Sequence, residues 1–226
     1  MESVILDAGG LLYYRRKDSL SVLRDVIRRI TGVGFELDKE HLLFIHELRE
    51  LSFRGFISRR DEVHLFLKYL GVEGDDIADK VYSVYNKEMA NNIVFYRDVP
   101  ETLKALKKAG YKLAVLSNSS YTSREKLEWF ARAGLKGVFE AVVCSCDIGY
   151  CKPEIRAYLT VLDRLGSSPG ESFFVGHSVK DLVGAKKTGL KTIGVKCPVR
   201  DKEIADVFVP KLADLLKVLN YNQASF

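Results

Sequence analysis

Asp7, Ser117, Asn118, Lys152, His177 and Asp181 are the residues of this 226-residue chain whose types could act together on an anion. Asp7 ends the apolar run Val4-Ile5-Leu6, Ser117-Asn118 ends Val115-Leu116, and His177 and Asp181 follow Phe174-Val175-Gly176. A carboxylate at a strand end can be a covalent nucleophile. A hydroxyl beside backbone N–H groups can hold an anionic oxygen. A lysine supplies a point charge for a phosphoryl group and neutralises a neighbouring carboxylate. A second carboxylate near a helix start can join the first on a hard divalent cation. Asp7 to Ser117, Ser117 to Lys152 and Lys152 to Asp181 are 110, 35 and 29 positions apart, so no local structure unites them. Taken singly, each has an ordinary role in a turn, a cap or a loop. Only a fold that gathers their positions into one crevice gives them a joint role.

The residue pattern predicts such a fold. Ser3 to Leu6 reads as a short buried strand stopped by Asp7-Ala8-Gly9-Gly10. Residues 18 to 92 then carry four helical stripes. Asp18/Ser19 caps the first, with Val22, Leu23, Val26, Ile27 and Ile30 inward and Gly32 as its stop. Asp38 caps the second, with Leu42, Ile45, Leu48 and Leu51 inward. Ser58 caps the third, with Val63, Phe66, Leu67 and Leu70 inward and Gly71 as its stop. Asp75/Asp76 opens the fourth, through Ile77, Val81, Tyr85 and Met89. From about residue 95, strands (112–116, 141–144, 172–175, 192–195, 207–209) alternate with helices that start near Asp98, Ser123, Pro153, Asp181 and Leu212. Ile155, Tyr158, Leu159 and Leu162 are the expected inward face of the Pro153 helix. This alternation implies an α/β protein with a Rossmann-like three-layer core and a parallel sheet. The core is expected over 1–12 and 95–226, with a four-helix, all-helical domain inserted over 13–94. In open parallel sheets the ligand sits at the carboxyl ends of the strands.

With its polar residues so placed, the chain resembles the haloacid dehalogenase (HAD) superfamily. The segments that carry the resemblance are Val4-Ile5-Leu6-Asp7-Ala8-Gly9-Gly10-Leu11-Leu12, Val115-Leu116-Ser117-Asn118, Gly149-Tyr150-Cys151-Lys152-Pro153-Glu154 and Phe174-Val175-Gly176-His177-Ser178-Val179-Lys180-Asp181-Leu182-Val183-Gly184-Ala185. The insert falls where that family places its helical C1 cap. The resemblance implies hydrolysis of phosphate esters through an aspartyl-phosphate on Asp7, with Mg²⁺. It implies Asp7 as nucleophile and metal ligand, the Gly9 carbonyl and Asp181 as metal contacts, and Ser117, Asn118 and Lys152 around the phosphoryl group. In capped relatives a cap loop tunes substrate choice, which draws attention to Arg15, Arg16 and Lys17 and to Arg54, Arg59 and Arg60.

Two positions depart from the phosphatase pattern. Gly9 stands where a second Asp would serve as general acid and base, a function that contributes about 10²–10⁴-fold. Its loss should hurt alkyl phosphates more than aryl or acyl phosphates, whose leaving groups depart as anions. His177 stands where a metal-binding Asp is usual, which removes one negative charge from a cation site. Imidazole suits Mn²⁺, Co²⁺, Ni²⁺ or Zn²⁺ better than Mg²⁺, so the site is expected either to have changed metal or to have decayed.

The remaining composition narrows the class. Net charge is +5, and residues 13–94 hold fourteen Lys/Arg against fourteen Asp/Glu, so the excess lies outside the insert. There is no dense basic run interleaved with aromatics, so nucleic acid is not an expected partner. No apolar run approaches the roughly 20 residues that span a bilayer. Met1-Glu2-Ser3-Val4 has no basic start, so a secretory signal is not expected and a cytoplasmic location is. Cys144, Cys146, Cys151 and Cys197 lack zinc-site spacing and are expected as reduced thiols, a Cys146–Cys151 bridge being the alternative. His41, His46 and His64 read as structural. The best reading is a metal-dependent phosphatase of a small phosphorylated molecule. The alternatives are a non-catalytic relative that binds a phosphate ligand or a protein, and a metal-independent haloacid dehalogenase-type hydrolase.

Overall fold

The computed structural model describes residues 2–223, with side-chain surroundings through residue 219. Met1 and residues 224–226 of the expected core lie outside the described residues. The chain runs β1 (Ser3–Leu6), β2 (Tyr13–Arg15), α1 (Ser19–Thr31), α2 (Lys39–Phe53), α3 (Arg59–Tyr69), α4 (Asp75–Asn91) and β3 (Ile93–Phe95). It continues α5 (Val99–Lys108), β4 (Lys112–Ser117), α6 (Ser123–Arg132), β5 (Ala141–Cys144), α7 (Ser145–Ile148), α8 (Ile155–Leu165) and β6 (Ser172–Gly176). It closes with α9 (Val179–Lys187), β7 (Lys191–Val195), β8 (Val207–Val209) and α10 (Leu215–Gln223).

Six strands form one parallel sheet in the order β5-β4-β1-β6-β7-β8. The alternating pleat divides each central strand between two cores. Val4 and Leu6 face the side that also holds Leu103, Leu106 and Phe130, whereas Ile5 faces Tyr158, Leu162 and Leu182. Chain order moves outward from β1 through β4 to β5, then jumps across β1 to β6. The switch point of the winding therefore lies at β1, where doubly wound sheets open their ligand crevice.

The helices between β2 and β3 pack in series, α1 and α3 on α4 and α2 on α3. Local chemistry sets their ends. Asp18 accepts hydrogen bonds from the backbone of Leu20 and Ser21, and Ser58 with Asp61 forms a reciprocal capping box. Gly32 ends α1 in the left-handed conformation. Asp38, not a core residue, also pairs with His41 at 2.7 Å, and His64 contacts Asp79 at 3.0 Å.

Several expectations need correction. Leu42, Leu51, Ile77, Ile155 and Leu159 are exposed. In α2 the buried positions are Ile45, Leu48 and Ser52, and in α8 they are Ala157, Tyr158, Val161, Leu162 and Leu165. Both helices carry apolar residues on more than one face, so 3–4 spacing admitted two stripes and packing chose one. The antiparallel ribbon of β2 and β3 was not expected, because three-residue strands are too short to show alternation. It pairs the segment that leads into α1 with the one that follows α4. All four cysteines are unpaired thiols. No helix among the described residues is long and apolar enough to cross a membrane.

One close approach seats the segment that carries Lys152. A Cβ at Gly184 would stand 2.6 Å from Pro153 Cβ and 2.8 Å from its carbonyl oxygen, both too close. Helix α9 therefore packs on Pro153 through a bare backbone. Gly184→Ala should lower the unfolding free energy by about 1–3 kcal/mol in urea titrations, the usual cost of overpacking. An unchanged midpoint would show that the contact yields freely.

Candidate active site

The ends of β4, β1 and β6, neighbours in the sheet, deliver Ser117, Asp7 and His177 to one crevice. The Asp7 backbone N–H donates to Val175 O at 2.9 Å, which prolongs β1 alongside β6. Asp7 Oδ1 accepts from the Ala8 N–H at 2.8 Å and from Lys152 Nζ at 2.5 Å. Lys152 Nζ also meets Asp181 Oδ2 at 3.0 Å. Lys152 is only 2% exposed, so its ammonium has exchanged water for two carboxylates. Burial alone would lower its pKa, but Asp7 and Asp181 outweigh that and hold it charged. Burial alone would raise the pKa of Asp7. The Lys152 charge, the His177 ring and the Ala8 N–H outweigh that and hold the carboxyl far below the usual carboxylate range.

Asn118 lines the crevice beside Ser117, and its side chain has a further task. Its side-chain amide donates to Lys152 O at 2.9 Å and accepts from Lys152 N at 2.8 Å. Both ends of the amide are thus committed to the lysine backbone, so Asn118 positions Lys152. Ser117 is buried at the end of β4 and lines the crevice. Asp181 lies in the first turn of α9, its carbonyl accepting from the Tyr158 hydroxyl at 2.7 Å.

The two departures from the phosphatase pattern both lie beside Asp7, without touching each other at the Gly9 Cβ position. At Gly9 nothing lies within 4 Å of where a Cβ would stand, so the volume of the missing acid is open. At Gly10, whose φ is +79°, a Cβ would stand 2.7 Å from His177 Nε2. The imidazole therefore lies against the glycine turn, and Gly10 is needed for that approach as well as for its backbone conformation. His177 Nδ1 is 3.3 Å from Asp7 Oδ2, is buried, and has no hydrogen-bond partner. The Asp7 carboxylate draws the ring toward its protonated form against the opposing effect of burial. Protonated, the ring is paired with Asp7; deprotonated, its nitrogen and the facing carboxylate oxygen fit two ligands of one divalent cation. The set goes no further by itself. Among the described residues no three His, Cys, Asp or Glu side chains gather around one point, and Asp181 is turned to Lys152.

These residues form one end of a cavity of about 490 Å³ whose far wall is the helical insert. Arg15 and Arg59 line it, as expected; Arg16 does not. Arg54 instead pairs with Glu154 at 2.8 Å and Arg60 with Asp79 at 2.6 Å. Arg59 lies 3.6 Å from the ring centre of Tyr121 and 5.0 Å from that of Tyr85, with Nη2 buried and unpartnered. Tyr13, Tyr85, Tyr121, Arg49, Glu62 and Lys126 also line the cavity and were not anticipated. Burial raises the pKa of Glu62 against the pull of Arg49 and Arg59. A signal for Lys126 existed: it shares a 3–4 spaced stripe with Trp129 and Phe130.

Replacing Lys152 by Met should lower the unfolding free energy by about 3–5 kcal/mol, because buried Asp7 and half-buried Asp181 then lose their shared counter-ion. Adding Asp7→Asn should recover part of that loss in the same denaturation assay. The folded-state pKa of Asp7 is lowered, so its stabilising contribution is complete above about pH 4 and is lost as the pH falls below that. Urea midpoints measured from pH 5 to pH 2 should decline less steeply in Asp7→Asn than in the parent.

Comparison with known proteins agrees with this architecture. The profile of the haloacid dehalogenase-like hydrolases matches residues 38–195. A glyceraldehyde 3-phosphate phosphatase of Methanopyrus kandleri is 28% identical over 230 residues, covering 97% of each chain. The (S)-2-haloacid dehalogenase 4A of Burkholderia cepacia is 36% identical over 206 residues, covering 86% of this chain and 83% of that one. The crystal structure of a 2-haloacid dehalogenase from Pseudomonas syringae superposes with a TM-score of 0.76 at 21% identity, covering 98% of this chain and 99% of that chain. With the matched profile spanning most of its length, this chain belongs to the haloacid dehalogenase-like hydrolase family.

Proposed function

We propose that the chain is a phosphatase of a small phosphorylated molecule that works through an aspartyl-phosphate on Asp7. The observation that carries this reading is the state of Asp7. Its carboxylate is held ionised by Lys152 and the Ala8 N–H on Oδ1, with the His177 ring 3.3 Å from Oδ2. One carboxylate oxygen forms the bond to phosphorus, and the ester oxygen leaves with the electron pair of the broken bond. Water then attacks the phosphorus, frees inorganic phosphate and restores the carboxylate. Ser117 and Lys152 meet the phosphoryl oxygens. The cavity walls carry five Lys/Arg side chains against three Asp/Glu, which favours an anionic substrate. A divalent cation held by Asp7 and His177 would draw negative charge off the phosphoryl group. The helical insert acts in this reading as a cap that closes the cavity and contributes Arg59 to substrate choice.

A second reading follows from Gly9. Attack of Asp7 on carbon with loss of halide needs no proton donor at the leaving group, and a relative at 36% identity is a haloacid dehalogenase. Both readings predict that Asp7→Asn abolishes turnover without unfolding the chain. The separating experiment is hydrolysis of p-nitrophenyl phosphate across Mg²⁺, Mn²⁺, Co²⁺, Ni²⁺ and Zn²⁺, beside chloride release from 2-chloropropionate in EDTA. Phosphate release that depends on one of these metals supports the phosphatase. Chloride release that survives EDTA replaces it with the second reading, and silence in both assays removes the enzyme readings together.

A further inference from the structure

Lys126 is a buried cation for which the reaction proposed above has no use. It projects from α6 and is 2% exposed. Its ammonium donates to the Tyr13 hydroxyl at 2.6 Å and lies 5.3 Å and 5.4 Å from the ring centres of Tyr13 and Trp129. Among the described residues no carboxylate pairs with it, whereas Lys152 has two and Arg49 has Glu62. A neutral hydroxyl and two ring faces compensate a desolvated ammonium only in part, and the cost of burial falls when a counter-ion arrives.

The same group lines the cavity that holds Asp7. Its partner Tyr13 is tied to the turn after Asp7, because Gly10 N donates to Tyr13 O at 2.8 Å. Beside it the Tyr121 ring packs on Trp129 at 4.6 Å between centres, and the Tyr121 hydroxyl is buried without a partner. The cavity thus offers two kinds of polar group. Asp7, Lys152 and Asp181 carry one more negative than positive charge, whereas Lys126 and the buried Tyr121 hydroxyl are donors that no carboxylate among the described residues engages.

We infer that Lys126, oriented by Tyr13, is a specificity residue that binds a second oxyanion of the substrate. This rests on the phosphatase reading and narrows it. The substrate class is a short phosphate ester or anhydride whose far end carries a carboxylate or a second phosphate. At about 30 Å³ per water-sized group, the cavity holds a molecule of roughly fifteen non-hydrogen atoms.

The test is calorimetric titration of the whole chain, with and without Mn²⁺, using methylphosphonate, phosphonoacetate and methylenediphosphonate. At least one of the two-anion probes should bind about 10–100-fold tighter than methylphosphonate, the usual effect of a charge-assisted hydrogen bond. Preference for phosphonoacetate assigns a carboxylate, and preference for methylenediphosphonate a second phosphate. Lys126→Met should erase the advantage and Lys126→Arg should restore part of it. Should Lys126→Met not fold, Lys126→Gln carries the comparison. Equal affinity for all three probes, or an advantage that survives loss of the ammonium, overturns the inference and leaves the phosphoryl site standing. No binding of any probe overturns both.

Discussion

The ammonium of Lys152, nearly sealed from water, can exist here only because two carboxylates meet it at 2.5 and 3.0 Å. Removing either the charge or its partners would leave uncompensated charge in a dry place. That requirement reaches through the whole core. The end of β1 must bring Asp7, the first turn of α9 must bring Asp181, and the segment before α8 must bring the lysine itself. Asn118, at the end of β4, clamps the lysine backbone from the fourth direction. The strand order that places β1 between β4 and β6, and the glycine contact that seats α9 on Pro153, are the means by which one electrostatic constraint is met.

The cavity above this cluster carries cations of two kinds. Beside Asp7, one ammonium and two carboxylates balance to a slight negative excess, with an imidazole beside them. Arg59, from α3, lies against two tyrosine rings and Lys126, from α6, against a tyrosine and a tryptophan, and among the described residues no carboxylate stands within 4 Å of either cation's nitrogens. Ring faces stabilise cations without neutralising them. Such a wall remains open to an anion, whereas a wall of salt bridges would already be satisfied. Lys152 with Asp7 and Asp181 shows the satisfied case in the same cavity.

His177 lies 167 positions from Gly10 in sequence but packs on it in space. The bare turn after Asp7 leaves room for the imidazole, whose Nε2 packs over Gly10 while Nδ1 faces Asp7. A side chain at position 10 and the imidazole would compete for one space, whereas position 9 stays open. In the proposed mechanism the consequence falls on the leaving group, which finds no carboxylic acid at position 9.

The amino-acid sequence by itself determined the order of layers, because strand and helix periods, glycine stops and Ser/Asp caps are local signals. It also marked Asp7, Ser117, Lys152, His177 and Asp181, since the ends of buried strands are where a parallel sheet exposes polar groups. Tertiary structure alone decided which of two apolar stripes on α2 and α8 faces inward, because both stripes obey helical spacing and only packing distinguishes them. It alone gave the Asn118 side chain its support of Lys152, a matter of side-chain direction that residue type leaves open. It alone put Arg59 and Lys126, from different layers, on one aromatic wall while leaving Arg16 outside it. Charge identity is written in the chain, but whether a charge meets a counter-ion, a ring or water depends on approaches between segments far apart in sequence.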